Sequence, residues 1–299
     1  MKVIKAIAEI SKNLAAEKLA GRRIAFVPTM GALHFGHLSL VQKAREIADV
    51  VVVSVFVNKT QFNDLGDYIK YPRQLEDDLQ KLAAHGVNYV FAPEENEIYP
   101  LSSQNLSCKI TVEKFVDCLC GAARAGHFDG VALIITKLFN IVQPHVALFG
   151  EKDFQQVLVI KNLVKDFNFA TEIFSHKIIR EASGLAMSSR NQRLSQSALV
   201  KAAGIFKILQ EIGEEVAVVT KNLSEKSLEK QNQNLENEVA NILQKKRQKL
   251  LAGGFEKIDY LEIRDEENLQ LFSKNNCKNL RIFIAAHLGG VRLIDNLAI

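Results

Sequence analysis

His34 and His37 stand three residues apart at the end of the stretch PTMGALHFGH (residues 28–37), directly after the apolar run Ile24–Val27. At the opening of a helix, residues three apart share a face. Two imidazoles aimed past a helix N-terminus suit an anion, above all a phosphate, because the first helical N–H groups and the positive dipole end favour negative charge there. Gly31 would let the backbone approach such a ligand closely. A nucleotide is the natural candidate. A second reading stands beside this one, in which one histidine caps the helix and the other is surface. A zinc pair lacks a third ligand nearby.

Three further polar clusters each follow an apolar run: NKTQF (58–62), GEKD (150–153) and REASGLAMSSRN (180–191). In GEKD, Lys152 can offer a point charge to phosphate oxygens and Asp153 can hold a ribose or a metal ion, or the two form a loop salt bridge. MSSRN sets two hydroxyls and a guanidinium side by side, which suits a polyphosphate, and it equally suits a cap leading into a helix from Ser195. Asn58, Gln61 and Gln156 can hydrogen-bond a carboxylate or hydroxyl without titrating. No G-x-S-x-G elbow, no plausible Cys–His–acid set, no G-x-x-x-x-G-K-[ST] and no G-x-G-x-x-G after the first apolar strand accompanies them. Phosphate donors without a protein nucleophile imply that two substrates react with each other. The chemistry would be attack on a nucleotide's α-phosphorus, with charge stabilised on departing pyrophosphate.

The elements that must position these clusters alternate in period. Ile24–Val27, Val50–Val57, Val87–Ala92, Val146–Phe149 and Ile173–Ile179 read as buried strands. Leu38–Ile47, Gln74–His85, Val131–Val142 and Phe154–Phe167 read as helices between them, and Ile4, Ile7, Ala8 and Leu14 recur at helical spacing. Such alternation predicts an α/β fold, a doubly wound, Rossmann-like parallel sheet, with residues 94–130 placed only loosely. Ligands of such sheets lie at the strands' carboxyl ends, so distant clusters would converge on one rim. From about Ala182 the texture changes. A long helical stretch, Ser195–Ile212, leads into the polar segment 222–249. Strands follow at Ile258–Ile263, Leu280–Ala286 and Val291–Ile294, the last after a Gly289-Gly290 turn. This predicts a nucleotide-binding domain over 1–179 and a smaller α+β lid domain over 180–299. In the polar segment Leu228, Leu235, Val239, Ile242 and Leu243 do not sustain heptads, so a solvated amphipathic helix is expected, with Lys245–Lys249 on its charged face.

Composition narrows the class. The 299 residues are 47 % hydrophobic and 24 % charged, an ordinary globular balance. A net charge of +4, dispersed along the chain, does not argue for nucleic acid. The four cysteines, 108, 118, 120 and 277, lack paired zinc spacing and read as reduced thiols. Glu9 and Lys12 interrupt any export signal, and Val50–Val57 is too short to span a bilayer, so a cytoplasmic protein without membrane partners is expected.

Taken together, the H-x-G-H turn and the later M-S-S-R loop resemble the nucleotidyltransferase superfamily that includes class I aminoacyl-tRNA synthetases. The ordered set PTMGALHFGH, SVFVNKTQF, YPR, FGEKDFQQ, REASGLAMSSRN and RLIDNLAI resembles one family within it, the pantoate–β-alanine ligases. That resemblance implies that ATP and pantoate form pantoyl adenylate and pyrophosphate, after which β-alanine displaces AMP. It implies ATP contacts from Met30, Gly31, Ala32, Leu33, His34, Phe35, Gly36 and His37, with His37 as the family's assigned proton donor and His34 facing the phosphates. Gly150, Glu151, Lys152, Asp153, Ile179, Met187, Ser188, Ser189 and Arg190 would complete the ATP site. Gln61 would bind pantoate and β-alanine, Gln156 would bind pantoate, and Asp77 and Asp78 would hold Mg2+. A homodimer is implied as well. Lys59 and Ala125 stand where the family usually has proline, which would loosen two loops. Competing readings are a transferase acting on a phosphorylated acceptor, which the neutral Gln61 and Gln156 disfavour, and a nucleotide-binding module without turnover.

Overall fold

The computed structural model describes residues 1–102, 105–224, 232–273 and 279–299. The described residues form two compact units, Met1–Ile179 and Arg180–Ile299.

In the first unit the chain runs β1 (Lys2–Ile4), α1 (Ile7–Leu19), β2 (Ile24–Thr29), α2 (Phe35–Ile47), β3 (Val50–Val55), α3 (Leu65–Ile69), α4 (Leu75–Ala84) and β4 (Tyr89–Phe91). It continues through α5 (Glu95–Ile98), α6 (Leu119–Ala123), α7 (His127–Val142), β5 (Val146–Gly150), α8 (Phe154–Asp166) and β6 (Glu172–His176). The six strands make one parallel sheet in the order β1-β4-β3-β2-β5-β6. The expected α/β, doubly wound parallel sheet is therefore what the chain forms. Val50, Val51, Val52 and Val53 are essentially solvent-free, as a β-branched strand covered on both faces must be. The winding direction reverses at β2, which pairs with β3 on one side and β5 on the other. The crevice at such a reversal is where open sheets bind ligands, and the turns leaving β2 and β5 carry the histidine and GEKD clusters.

Three details differ from the sequence-based expectation. Ile4 belongs to an edge strand, β1, paired with β4, and the helix begins only at Ile7. β6 stops at His176, short of Ile179, because its neighbour β5 ends at Gly150, the partner of His176, and no further ladder exists. Within 94–130 the described residues form two short helices, α5 and α6, and the first turn of α7.

In the second unit α9 (Gln196–Ala202), α10 (Gly204–Ser224) and α11 (Asn232–Ala252) pack with an antiparallel sheet of β7 (Lys257–Asp265), β8 (Leu280–Leu288) and β9 (Val291–Ala298). The expected single helix from Ser195 is interrupted at Ala203, just ahead of Gly204, a weak helix former. The polar segment is helical where described, and Leu228 lies outside the described residues, as does Cys277. Leu235, Val239 and Ile242 of α11 are buried. The basic tract is not simply solvated, because Lys246 and Lys249 both pair with Glu211 of α10 at 2.8 Å. Among the described cysteines Cys118 and Cys120 are buried and Cys108 is exposed. No helix among the described residues is long and apolar enough to cross a membrane.

Candidate functional site

The turn leaving β2 is held from beneath by α4. Thr29 Oγ1 accepts the Gly31 N–H at 3.2 Å and donates to the Ser54 carbonyl at 2.7 Å. The Asp78 carboxylate accepts the N–H groups of Ala32 and Leu33, one on each oxygen, at 2.8 and 2.7 Å. Gly31 (φ 81°) has the left-handed backbone only glycine adopts easily, and an added Cβ would stand 3.0 Å from Asp78 Oδ2 and from Val55 Cγ1. Ala32 (φ 51°) is held in the same unfavourable region.

The amides that lead into α2 are spent as well. His34 N–H donates to His37 Nδ1 at 3.4 Å, Gly36 N–H to His34 Nδ1 at 3.1 Å, and His37 N–H to the His34 carbonyl at 2.9 Å. Sequence reasoning expected unpaired backbone N–H groups here. The structure instead engages the amides of residues 31–34, 36 and 37 internally, so the side chains carry most of the donor capacity for an anion here. The capping and ligand readings of the histidines thus coincide in one arrangement. Each Nδ1 acts as an acceptor, which leaves the proton of a neutral ring on Nε2. The rings lie together, 4.0 Å between centroids, and both residues are half-buried.

Electrostatics keep them neutral. Burial lowers the His34 pKa to about 2, helped by His37, Lys152 and Lys81. Burial, Lys152 and Lys81 lower His37 to about 4 against an opposing pull from Asp153. Lys152 therefore stands near enough to both imidazoles to act on them, and its own Nζ lies 3.3 Å from Asp153 Oδ2. A consequence is testable. Between the ordinary histidine value of 6.5 and about 4, the unfolded chain takes up protons that folded His37 refuses, so stability is lost as pH falls through that window. His145 and His176, also lowered chiefly by burial, act in the same direction, while Asp78, raised chiefly by burial, opposes them. The expected result is a lower urea midpoint at pH 5 than at pH 7. A midpoint that holds or rises would contradict the burial of these rings.

A second network fixes Gln61. Residues Lys59–Gln61 form a 3-10 turn that packs against α7 at Gly130. Asn58, expected as a ligand contact, is only 1 % exposed, and its amide is consumed internally. It donates to Gln61 Oε1 (3.0 Å) and the Gly130 carbonyl (3.1 Å), and accepts from Tyr99 (2.7 Å) and Thr60 (2.9 Å). It orients Gln61, whose Nε2 points at Met30 Sδ (3.1 Å). His127 and Arg124 hold the Gln61 backbone carbonyl at 2.7 and 3.2 Å. Because a carbonyl only accepts, His127 carries its proton on Nδ1, and its Nε2 takes the Arg124 Nη1–H at 3.0 Å. These bonds order the two loops that contain Lys59 and Ala125. Sequence reasoning missed His127 and Gly130. The only signal was a pair of glycines flanking a histidine in GHFDG.

The remaining expected residues are placed as follows. Gly150 ends β5, Glu151–Asp153 form a 3-10 turn, and Gln156 is half-buried in the first turn of α8. Ile179 lies beyond the end of β6. Met187, Ser188, Ser189 and Arg190 belong to the second unit, where Ser188 Oγ accepts the Arg190 N–H at 3.3 Å and caps a 3-10 turn. Asp77 and Asp78 do not fit a magnesium site. Asp78 is 0 % exposed with both oxygens holding backbone N–H groups, and Asp77 is paired with Lys81 at 2.6 Å. Among the described residues no group of three or more His, Cys, Asp or Glu is arranged to hold a metal ion.

The chain resembles known proteins along its whole length. A family model described as pantoate-beta-alanine ligase matches residues 2–298. The chain is 44 % identical over 301 residues to pantothenate synthetase of Marinomonas sp. (strain MWYL1), covering 100 % of this chain and 99 % of the relative. It is 43 % identical to that of Azotobacter vinelandii, with the same coverage. Among solved structures, a pantothenate synthetase from Thermus thermophilus superposes with a TM-score of 0.85 at 37 % identity over 99 % of both chains. The pantoate-beta-alanine ligase from Francisella tularensis, complexed with beta-gamma ATP and beta-alanine, gives 0.80 at 36 % identity over 100 % of this chain and 97 % of that one.

Proposed function

This chain belongs to the pantoate–β-alanine ligase family, and on that footing we propose that it makes pantothenate in two steps through an enzyme-bound pantoyl adenylate. In the first step the pantoate carboxylate attacks the α-phosphorus of ATP, the bond to the bridging oxygen breaks, and pyrophosphate leaves. In the second the β-alanine amine attacks the acyl carbon, AMP leaves with the former carboxylate oxygen, and the amine loses its proton.

The observation that carries this reading is the pair of imidazoles, each accepting a backbone N–H at Nδ1, that share the reversal point of the sheet with Lys152. The attacking carboxylate has no proton to lose, so no general base is needed. What the reaction requires is charge stabilisation on the departing pyrophosphate. The Nε2–H groups of His34 and His37 supply hydrogen bonds that strengthen as that charge develops, and Lys152 supplies a full positive charge. His37, held neutral near pH 7, acts as a hydrogen-bond donor rather than as an imidazolium acid. Met30–His37, Gly150–Asp153, Ile179 and Met187–Arg190 are assigned to ATP, Gln61 to pantoate and β-alanine, and Gln156 to pantoate. The relative from Francisella tularensis, complexed with beta-gamma ATP and beta-alanine, supports the choice of substrates. An uncharged Gln61 suits a small carboxylate or hydroxyl better than a phosphorylated acceptor. The resemblance also supports a homodimer and a cytoplasmic location.

Pyrophosphate release tests the order of events. Release is expected to require ATP and pantoate, with AMP and the amide product appearing only once β-alanine is added. Release that needs all three substrates from the outset would overturn the adenylate, and no release above background would overturn the enzyme assignment.

A further inference from the structure

We propose that Asp78 and Lys81 of α4 are positioning residues that clamp the turn carrying the two histidines, and that Asp78 is not a ligand of the metal that accompanies ATP. The proposal rests on the reading of residues 30–37 as the ATP turn.

Asp78 and Lys81 are three apart and therefore share a helix face. From that face come three hydrogen bonds to consecutive backbone groups of the turn: Asp78 to the N–H of Ala32 (2.8 Å) and of Leu33 (2.7 Å), and Lys81 Nζ to the Leu33 carbonyl (2.8 Å). A buried carboxylate next to a triphosphate site is costly unless its charge is answered. Here two N–H dipoles and the Lys81 ammonium answer it, and Lys81 is steadied in turn by Asp77 at 2.6 Å. The clamp holds Ala32 in its unfavourable left-handed conformation (φ 51°), and that conformation delivers the chain to His34 at the mouth of α2. Without the clamp Ala32 would relax to ordinary backbone angles, and both imidazoles would move with it. A metal ligand at Asp78 would need room for the ion and its water shell beside a carboxylate that is 0 % exposed and already engaged by two amides.

The experiment uses Asp78→Asn and Lys81→Met in the full-length chain. Asparagine keeps one acceptor but turns an NH2 toward the other amide. In the absence of nucleotide and metal, hydrogen exchange at the amides of Ala32 and Leu33 is expected to speed up at least about tenfold in Asp78→Asn, the scale for losing a hydrogen bond to a charged group. The KM for ATP is expected to rise by a similar factor, while the KM for β-alanine and the half-saturating Mg2+ concentration at saturating ATP stay at their original values. Lys81→Met, whose side chain is partly exposed, reports the same direction with a smaller change if Asp78→Asn does not fold. Unchanged exchange at residues 32 and 33 would overturn the proposal. So would a rise of about tenfold or more in the Mg2+ requirement, the loss expected when a metal's ligand set is disturbed. Because exchange is read without ATP, it judges the clamp whichever way the pyrophosphate assay judges the ATP reading.

Discussion

Lys152→Ala is expected to lower the rate of pyrophosphate release at least about a hundredfold, the scale for removing one donor aimed at developing charge. Lys152, on the turn leaving β5, is the full positive charge that acts on His34 and His37 on the turn leaving β2. A lysine used mainly to bind ATP would raise KM and leave kcat standing. One used to stabilise the departing pyrophosphate lowers kcat at saturating ATP. The fall is therefore expected in kcat. His37→Ala is expected to cost a similar factor, because it deletes an Nε2–H donor and also the Nδ1 that accepts the His34 amide at 3.4 Å. Single-turnover release measured at saturating ATP and pantoate is the check. Near-normal rates in either variant would show that these side chains do not meet the phosphates.

The second large effect is steric. In Gly130→Ala the new Cβ would stand 2.3 Å from the Thr60 carbonyl oxygen and 2.6 Å from the Gln61 amide nitrogen, both backbone atoms that cannot swing aside. Either α7 or the 58–61 turn must shift. The move would stretch the bonds from Asn58 to the Gly130 carbonyl and from His127 to the Gln61 carbonyl. Overpacking of this kind costs about 1–3 kcal/mol. For a unit of this size that corresponds to a drop of roughly 2–12 °C in Tm. Alongside it, the KM for pantoate is expected to rise, because the Gln61 side chain loses its bearing on Met30. Unfolding followed by circular dichroism, with steady-state kinetics on the folded fraction, reads both. An unaltered Tm would mean that the turn is not packed against α7 as described.

Much of this molecule was legible without coordinates. The β-branched run at 50–55 and the helices at 35–47 and 154–166 follow from residue type and period, which act between near neighbours. The alternation of the two periods implied parallel strands with crossovers, and hence a rim on which the clusters after β2 and β5 would meet. The histidine pair was equally visible, because three-residue spacing at a helix start is a local property.

Other features depend on pairs of residues that only packing introduces to each other. A strand's end is set by its neighbour, so β6 halts at His176 where β5 has no more residues to offer. Asp77 and Asp78 look alike in EDDL, yet one is exposed on a salt bridge and the other is buried beneath the histidine turn. Asn58 and Gln61 are both plain amides in NKTQF. Only the approach of α7 decides that Asn58 is spent inside and that Gln61 is the side chain it aims.

Residue types and their order set which chemistry was available, namely two imidazoles, one ammonium and no nucleophile, and the sheet that carries them. Folding in three dimensions added that burial pushes the imidazoles toward the neutral form, that most of the backbone amides around them are already taken, and that Asp78 lies bonded beneath the turn. The division follows from range. Periodicity and capping act within a few residues, whereas burial and hydrogen-bond partners depend on which distant segment arrives alongside.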